Sequence, residues 1–296
     1  MSEIQQSILP GVPAVARYLS FSVASDAKPV EILQSIELLD IDEWLTVGIG
    51  EPFVKLLGTE IVGLRTFPAL KGPETSVPST QQWLWCWIRA ENENDLNLRS
   101  DAITQLFSGL LKLENSVDGF KHGQEELGKD LTGYEDGTEN PTGEEAIAAA
   151  FDLSDVAGMR GSSFVAVQQW VHDLQKFTAF PQPEQDNIIG RRKSDNAELE
   201  SAPHSAHVKR TEQESFQPAA FIVRRSMPFR GAEGEGLMFV AFGKSLNAFE
   251  TQLRRMVGLE DGTTDALFRF SQPVTGGYFW CPPLVNGKLD LSALKE

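Results

Sequence analysis

QWLWCWIRAENENDLNLRSDAITQLFSGLL, residues 82–111, decides how the chain folds. Its first nine residues, 82–90, form a continuous apolar run of the kind found in a strand buried on both faces. After a polar break, Ile103, Leu106, Phe107, Leu110 and Leu111 recur at i, i+3, i+4, i+7 and i+8, which predicts a helix with one apolar stripe. The same grammar returns at 236–257. GLMFVAFG (236–243) reads as a second buried strand, and Leu246, Phe249, Leu253, Met256 and Val257 mark one face of a helix after it. Asn247 and Glu250 have the spacing of an N-terminal cap and its reciprocal partner. Around these pairs, VARYLSFSVA (15–24), EWLTVGIGEPFVKLL (43–57), FVAVQQWVHDL (164–174) and AFIVRRSM (220–227) supply further strands, and VEILQSIELL (30–39) has helical spacing. The pattern predicts an α+β fold in two halves. They meet near residues 130–145, where Thr142 and Glu145 again have capping-box spacing.

Composition narrows the function. The chain has 296 residues, 41% hydrophobic and 23% charged, enough for about two domains with full cores. Lys plus Arg total 26 against 42 Asp plus Glu, a formal charge of −16. That excess argues against a nucleic-acid partner, which needs clustered cations, and against docking on an anionic membrane. The two cysteines, Cys86 and Cys281, have no paired spacing, which fits a reducing compartment. MSEIQQSILPGVPAV at the N-terminus lacks a basic region followed by an apolar run, and no stretch reaches the length of a membrane span. These features predict a cytoplasmic protein.

The stretch richest in chemistry is GYEDGTENP, residues 133–141. Gly133 and Gly137 admit positive φ, so the carboxylate of Asp136 can be held on a tight turn close to a ligand. Residues 184–218 are polar, lack sustained periodicity and hold two of the four histidines with Arg191, Arg192 and Lys193. Strands on both sides make this segment an insertion within a domain, and we read it as a ligand-binding loop. His207 is its leading candidate metal ligand and His204 competes; His122, in GFKHGQ, and His172, at a strand end, are weaker. On AFIVRRSM, period-two alternation places Ile222, Arg224 and Ser226 on one face and Val223, Arg225 and Met227 on the other. If the first face borders a pocket, a guanidinium and a hydroxyl converge there.

With GYEDGTENP, the segments IIGRRKSDNAEL (188–199), SAHVKRT (205–211), FIVRRSMPF (221–229) and VTGGYFW (274–280) stand in the order seen in dye-decolorizing peroxidases. Over nearly its full length the chain resembles a bacterial member of that family, of the compact cytoplasmic type. The resemblance implies two tandem ferredoxin-like domains, residues 1–132 and 133–296, with antiparallel sheets and one haem b in the second. It implies His207 as the axial iron ligand, Asp136 as the distal carboxylate and Arg224 as the distal arginine. Gly137, Thr138, Arg191, Arg224 and Ser226 are the residues it places against the haem. Asp265, in TTDALFRF, resembles the acid that accepts the other N–H of the proximal imidazole.

Those residue types suit the implied chemistry. Heterolytic cleavage of hydrogen peroxide moves a proton from the inner to the outer oxygen while the departing oxygen gains charge. A carboxylate can carry the proton, and an arginine can stabilise the charge without titrating. The electrons come from a small-molecule reductant, a dye, a phenol or a similar donor. Trp170, Tyr278, Trp280 and Tyr134 are candidate relays for donors too large to enter, although strand aromatics are ordinarily core residues. An iron-handling, deferrochelatase-like protein would use the same His207 and loop, but haem storage gives Asp136 and Arg224 no task. A haem-free interaction module would show no Soret band. Exposed edges of antiparallel sheets predict a homo-oligomer. The tail GKLDLSALKE (287–296) resembles the peptides that load such enzymes into encapsulin shells, against the simpler reading that Leu289, Leu291 and Leu294 pack on the domain.

Overall fold

The computed structural model describes residues 3–124, 128–232 and 234–295. The buried run at 84–90 is the wall on which the fold is built. As strand β5 (Leu84–Ala90; the two short strands β3, Leu70–Lys71, and β4, Ser76–Val77, precede it), every residue is buried. Trp85 and Trp87 point into one apolar cluster, while Leu84, Cys86 and Ile88 belong to another on the opposite face. Period-two alternation explains this: both faces are covered, so both sets are apolar. β5 lies between β1 (Val15–Val23) and β2 (Leu45–Ile49), and β1 continues to β6 (Leu111–Phe120).

The second half repeats the arrangement. β7 (Ser163–His172) lies between β10 (Gly234–Gly243) and β12 (Gly277–Cys281), and β10 continues to β9 (Met227–Gly231). Single antiparallel pairs, Trp280 with Ile49 and Gly119 with Phe229, join the two four-stranded blocks. β7, β12, β2, β5, β1, β6, β9 and β10 thus close into one eight-stranded antiparallel barrel. In each block the strands, numbered by their order in the chain, lie side by side as fourth, first, third and second. Among the described residues the large sheet ends in two short strands, β8 (Val223–Arg224) beside β10 and β11 (Ser271–Pro273) beside β7. Closure removes the long edges from which self-association was expected.

The barrel is filled, not hollow. Tyr18, Trp85, Trp87, Phe242 and Phe279 occupy its interior, with Ile8 and Ala149 in the same cluster. Helices α1 (Pro29–Glu37), α2 (Glu51–Leu56) and α3 (Glu93–Leu106) belong to the first half. α4 (Gly143–Ala150) bridges to α5 (Leu174–Ala179), α6 (Gln182–Ile189), α7 (His207–Arg210) and α8 (Asn247–Met256). Trp170, Tyr278, Trp280 and Tyr134 are all buried. The tail forms β13 (Leu284–Val285), β14 (Lys288–Leu289) and a short 3-10 turn, and Leu289, Leu291 and Leu294 are buried in the outer core. Among the described residues no helix is long and apolar enough to cross a membrane.

Several local expectations change. The 103–111 stripe is not all helix: α3 ends at Leu106, Gly109 turns the chain with φ 78°, and Leu111 opens β6. β6 escaped notice because its middle is polar. EPFVKL within 43–57 is helix α2, started by Pro52 in its first turn. AFIVRRSM forms two short strands, β8 and β9, with a break at Arg225 and Ser226. Residues 184–218 carry α6 and α7 and are not structureless. No side-chain cap forms at Thr142 or Asn247; Asn247 and Glu250 both accept from the guanidinium of Arg65 instead. A charged donor outcompetes a backbone N–H for the same oxygens.

Candidate active site

GYEDGTENP becomes a turn stapled at both ends. Gly133 and Gly137 take φ of 88° and 79°, as the motif predicts. Lys193 Nζ donates to Thr132 O (2.6 Å), and the Tyr134 hydroxyl donates to Asp186 on α6. Asn196 Nδ2 donates to Glu135 Oε2 (3.0 Å) and Thr138 Oγ1 (2.9 Å), and Arg191 pairs with Glu139. At the far end Asn140 binds the backbone of Arg224 twice: Oδ1 accepts from Arg224 N (2.8 Å) and Nδ2 donates to Arg224 O (3.0 Å). That clamp fixes the turn to β8 and brings Asp136 and Arg224 to one cleft.

The cleft lies between the outer face of the barrel and the helices over it. β7, β10 and β8 supply Gln168, Trp170, His172, Leu237, Phe239 and Arg224. His207, Thr211, Phe249, Leu253 and Met256 come from α7, the residue after it and α8, with Leu267 and Phe270 beside them. A wider surface groove near α4 and α8 contains no histidine and none of these acids, so it has no claim on the chemistry.

His207 opens α7, a helix too short to stand alone. Its last residue holds it: buried Arg210 forks onto both oxygens of Asp261 (2.7 Å each) and donates to Arg255 O. Arg210, the largest cause, holds the Asp261 carboxyl well below the usual carboxylate range. At the other side Gly190 ends α6 with φ 96°, where a Cβ would meet Val208 Cγ2 at 2.3 Å. Only glycine lets α6 lie this close to the histidine's helix. His207 Nδ1 is 2.8 Å from Oδ2 of Asp265, a carboxylate with no exposed surface. Oδ1 of the same acid accepts from Leu267 N. The bond occupies Nδ1 and leaves Nε2 for a ligand. His204, by contrast, is 70% exposed and bonds Asp261, outside the cleft.

The two arginines of β8 and the break after it part company. Arg225 turns inward and donates to the carbonyls of Ile8 and Leu9. Arg224 faces the cleft, where its buried Nε has no partner among the described residues. Ser226 is buried with its Oγ accepting from Val240 N (3.4 Å), and it does not line the cleft. Gly137, Thr138 and Arg191 also stay off the lining; Arg191 is ion-paired to Glu139 and Glu198.

Sequence reasoning missed one polar cluster on the cleft wall. His172 Nε2 lies 3.0 Å from Asp130 Oδ2, and its Nδ1 lies 2.7 Å from Ser271 Oγ. Alternation on β7 was the available signal, since it puts Gln168, Trp170 and His172 on one face. Burial alone would raise the Asp130 carboxyl, but bonds from His172 and Thr132 outweigh it and bring it down from 3.8 to about 2. A depressed carboxyl contributes stability above its unfolded value, which is lost as pH falls through the folded one. The contribution is about 2 kcal/mol. Asp130→Asn should therefore lower the melting temperature at pH 7. It should also flatten the fall in melting temperature that the wild type shows between about pH 4 and pH 2. Thermal denaturation across that range checks both.

A family model described as "Dyp-type peroxidase, C-terminal" matches residues 128–286. A dye-decolorizing peroxidase of Mycolicibacterium paratuberculosis is 32% identical, aligned over 98% of this chain and 92% of the relative. Another from Rhodococcus erythropolis is 32% identical over 80% of this chain and 71% of its own. Among solved structures, a dye-decolorizing protein from V. cholerae superposes with a TM-score of 0.83 at 29% identity, covering 98% of each chain. A DypB variant from Rhodococcus jostii in complex with heme gives 0.85 at 27%, covering 94% of this chain and 96% of that one.

Proposed function

Because the chain belongs to the dye-decolorizing peroxidase family, we infer that it is a haem-dependent peroxidase that reduces hydrogen peroxide and oxidises dyes, phenols or similar one-electron donors. One observation carries this reading down to residues: the Asp265-bound His207 shares a cleft with Asp136 and with the guanidinium of Arg224, whose Nε has no partner among the described residues. The lining fits a haem. It joins apolar walls to one imidazole with a free nitrogen and to the buried donors Arg224 Nε and Gln168 Nε2, which lack acceptors among the described residues. When bound, haem supplies the electrons for O–O cleavage and takes them back singly from the donor.

His207 would hold the iron through Nε2. Asp265 Oδ2 accepts a hydrogen bond from Nδ1–H and gives the imidazole more anionic character. Asp136 takes the proton from the inner peroxide oxygen and returns it to the outer one. Arg224 stabilises the charge on the departing oxygen. Arg191, with Gly137 and Thr138, belongs to the same reading at the haem's rim, where Arg191 would exchange Glu139 and Glu198 for a propionate.

We read residues 1–132 and 133–296 as tandem ferredoxin-like domains, with the haem in the second. The repeated strand order supports the pairing, and every residue lining the cleft except Asp130 and Thr132, at the boundary, lies in the second. The reading keeps the protein in the cytoplasm, in line with two free, buried cysteines. Self-association stays within it without help from the sheet edges, which are short. Loading into an encapsulin shell would require the buried leucines of the tail to leave the core.

The direct test is a Soret band in the purified protein together with hydrogen-peroxide-dependent bleaching of an anthraquinone dye. Haem binding without peroxide-driven turnover above free haem would leave only a haem-binding protein. Asp136→Asn tests the proton carrier. It keeps the turn's shape, so folding and haem content should be unchanged, while turnover per haem falls by about a hundredfold. If Asp136 were only a turn residue, stability would drop and the rate per haem would stay.

A further inference from the structure

Gln168 projects from β7 onto the cleft face of the barrel, in register with Phe239, and is 1% exposed. Its neighbour Trp170 determines which way the carboxamide points. An indole N–H can only donate, and Trp170 Nε1 lies 3.3 Å from Gln168 Oε1. The oxygen is therefore turned toward the indole and Nε2 away from it. Nε2 has no partner among the described residues, although the amide is buried. An unpaired buried donor costs free energy that an acceptor in the cleft would return. Arg224 Nε is a second such donor on the same wall, two strands away through β10. On β10, Phe239 opposite Gln168 and Leu237 opposite Trp170 are apolar, so on this wall these donors are what can orient a small polar guest.

We propose that Gln168 is a further ligand-positioning residue of this cleft, its Nε2 donating, beside Arg224, to the oxygen or anion held opposite His207. The proposal rests on the haem reading above and adds to it the class of guest the wall selects: a small hydrogen-bond acceptor. Trp170 is then the residue that orients Gln168, by accepting no bond itself and holding the amide oxygen.

The experiment uses the ferric holoprotein and fluoride, an anion whose binding depends on donors around it. Gln168→Met keeps the side chain's length and removes the donor. The fluoride dissociation constant should rise by about tenfold, the loss of one hydrogen bond to a charged acceptor. The C–O stretching frequency of the ferrous carbon monoxide complex should rise as well. Wild-type fluoride affinity and an unchanged C–O frequency in a fully loaded variant would overturn the proposal. If Gln168→Met does not load haem, Trp170→Phe decides. It leaves the amide in place but free to rotate, and should weaken fluoride by about threefold; wild-type affinity there overturns the proposal too. A wild-type protein without a Soret band would instead overturn the haem reading itself.

Discussion

Replacing His207 by alanine is expected to yield a folded protein that no longer holds haem. Neither His204 nor His172 is placed to take over the iron. His204 is three residues away but points to Asp261 in solvent, and His172 has both ring nitrogens engaged by Asp130 and Ser271. The helix itself should survive, because Arg210 anchors it through Asp261 and Arg255. Even residues that only orient a metal ligand cost about 10–100-fold in affinity when lost, so removing the ligand should cost at least about a hundredfold. Asp265 would lose its partner in a site without exposed surface, so a lower melting temperature accompanies the change. The measurement is haem per chain from the Soret band, read against circular dichroism. Full occupancy with an unshifted Soret band would remove His207 from the iron.

Arg224→Leu should do the opposite: haem remains and the reaction with peroxide slows. The guanidinium is set against the cleft by Asn140, which holds the arginine's backbone on both sides, and its buried Nε is unpaired among the described residues. A donor that meets the charge growing during bond cleavage acts on the rate beyond any hold it has on a bound anion. Loss of one such donor typically costs about 10²–10³ in rate. Stopped-flow absorbance of the holoprotein mixed with one equivalent of peroxide reads this directly, and a wild-type rate would take Arg224 out of the mechanism. The next residue is the control. Arg225 holds the carbonyls of Ile8 and Leu9, so Arg225→Leu should lower the melting temperature and leave the rate per haem unchanged.

What the sequence determined by itself lies in patterns shorter than about twenty residues. The run at 82–90 holds a strand, Leu84–Ala90, because so short an element with apolar residues on both alternating faces must be covered on both sides. The glycines of 133–141 need positive φ because the turn does, wherever the turn is placed. The motif order also singled out His207, Asp265, Asp136 and Arg224, because each stands in one short segment that resembles the family's.

Tertiary structure alone decided the rest, because it concerns partners far apart in the chain. Trp280 with Ile49, and Gly119 with Phe229, close the barrel through single pairs that carry no sequence pattern. Arg65 takes Asn247 and Glu250 from their helix end across more than 180 positions, since a guanidinium binds those oxygens more strongly than a backbone N–H. Asn140 meets Arg224, Asp130 meets His172, and Trp170 turns the amide of Gln168. Each of these residues is ordinary within its own segment. Only packing β7, β8 and the 130–141 turn around one cleft makes them a site, because hydrogen bonding acts over about 3 Å and is blind to distance along the chain.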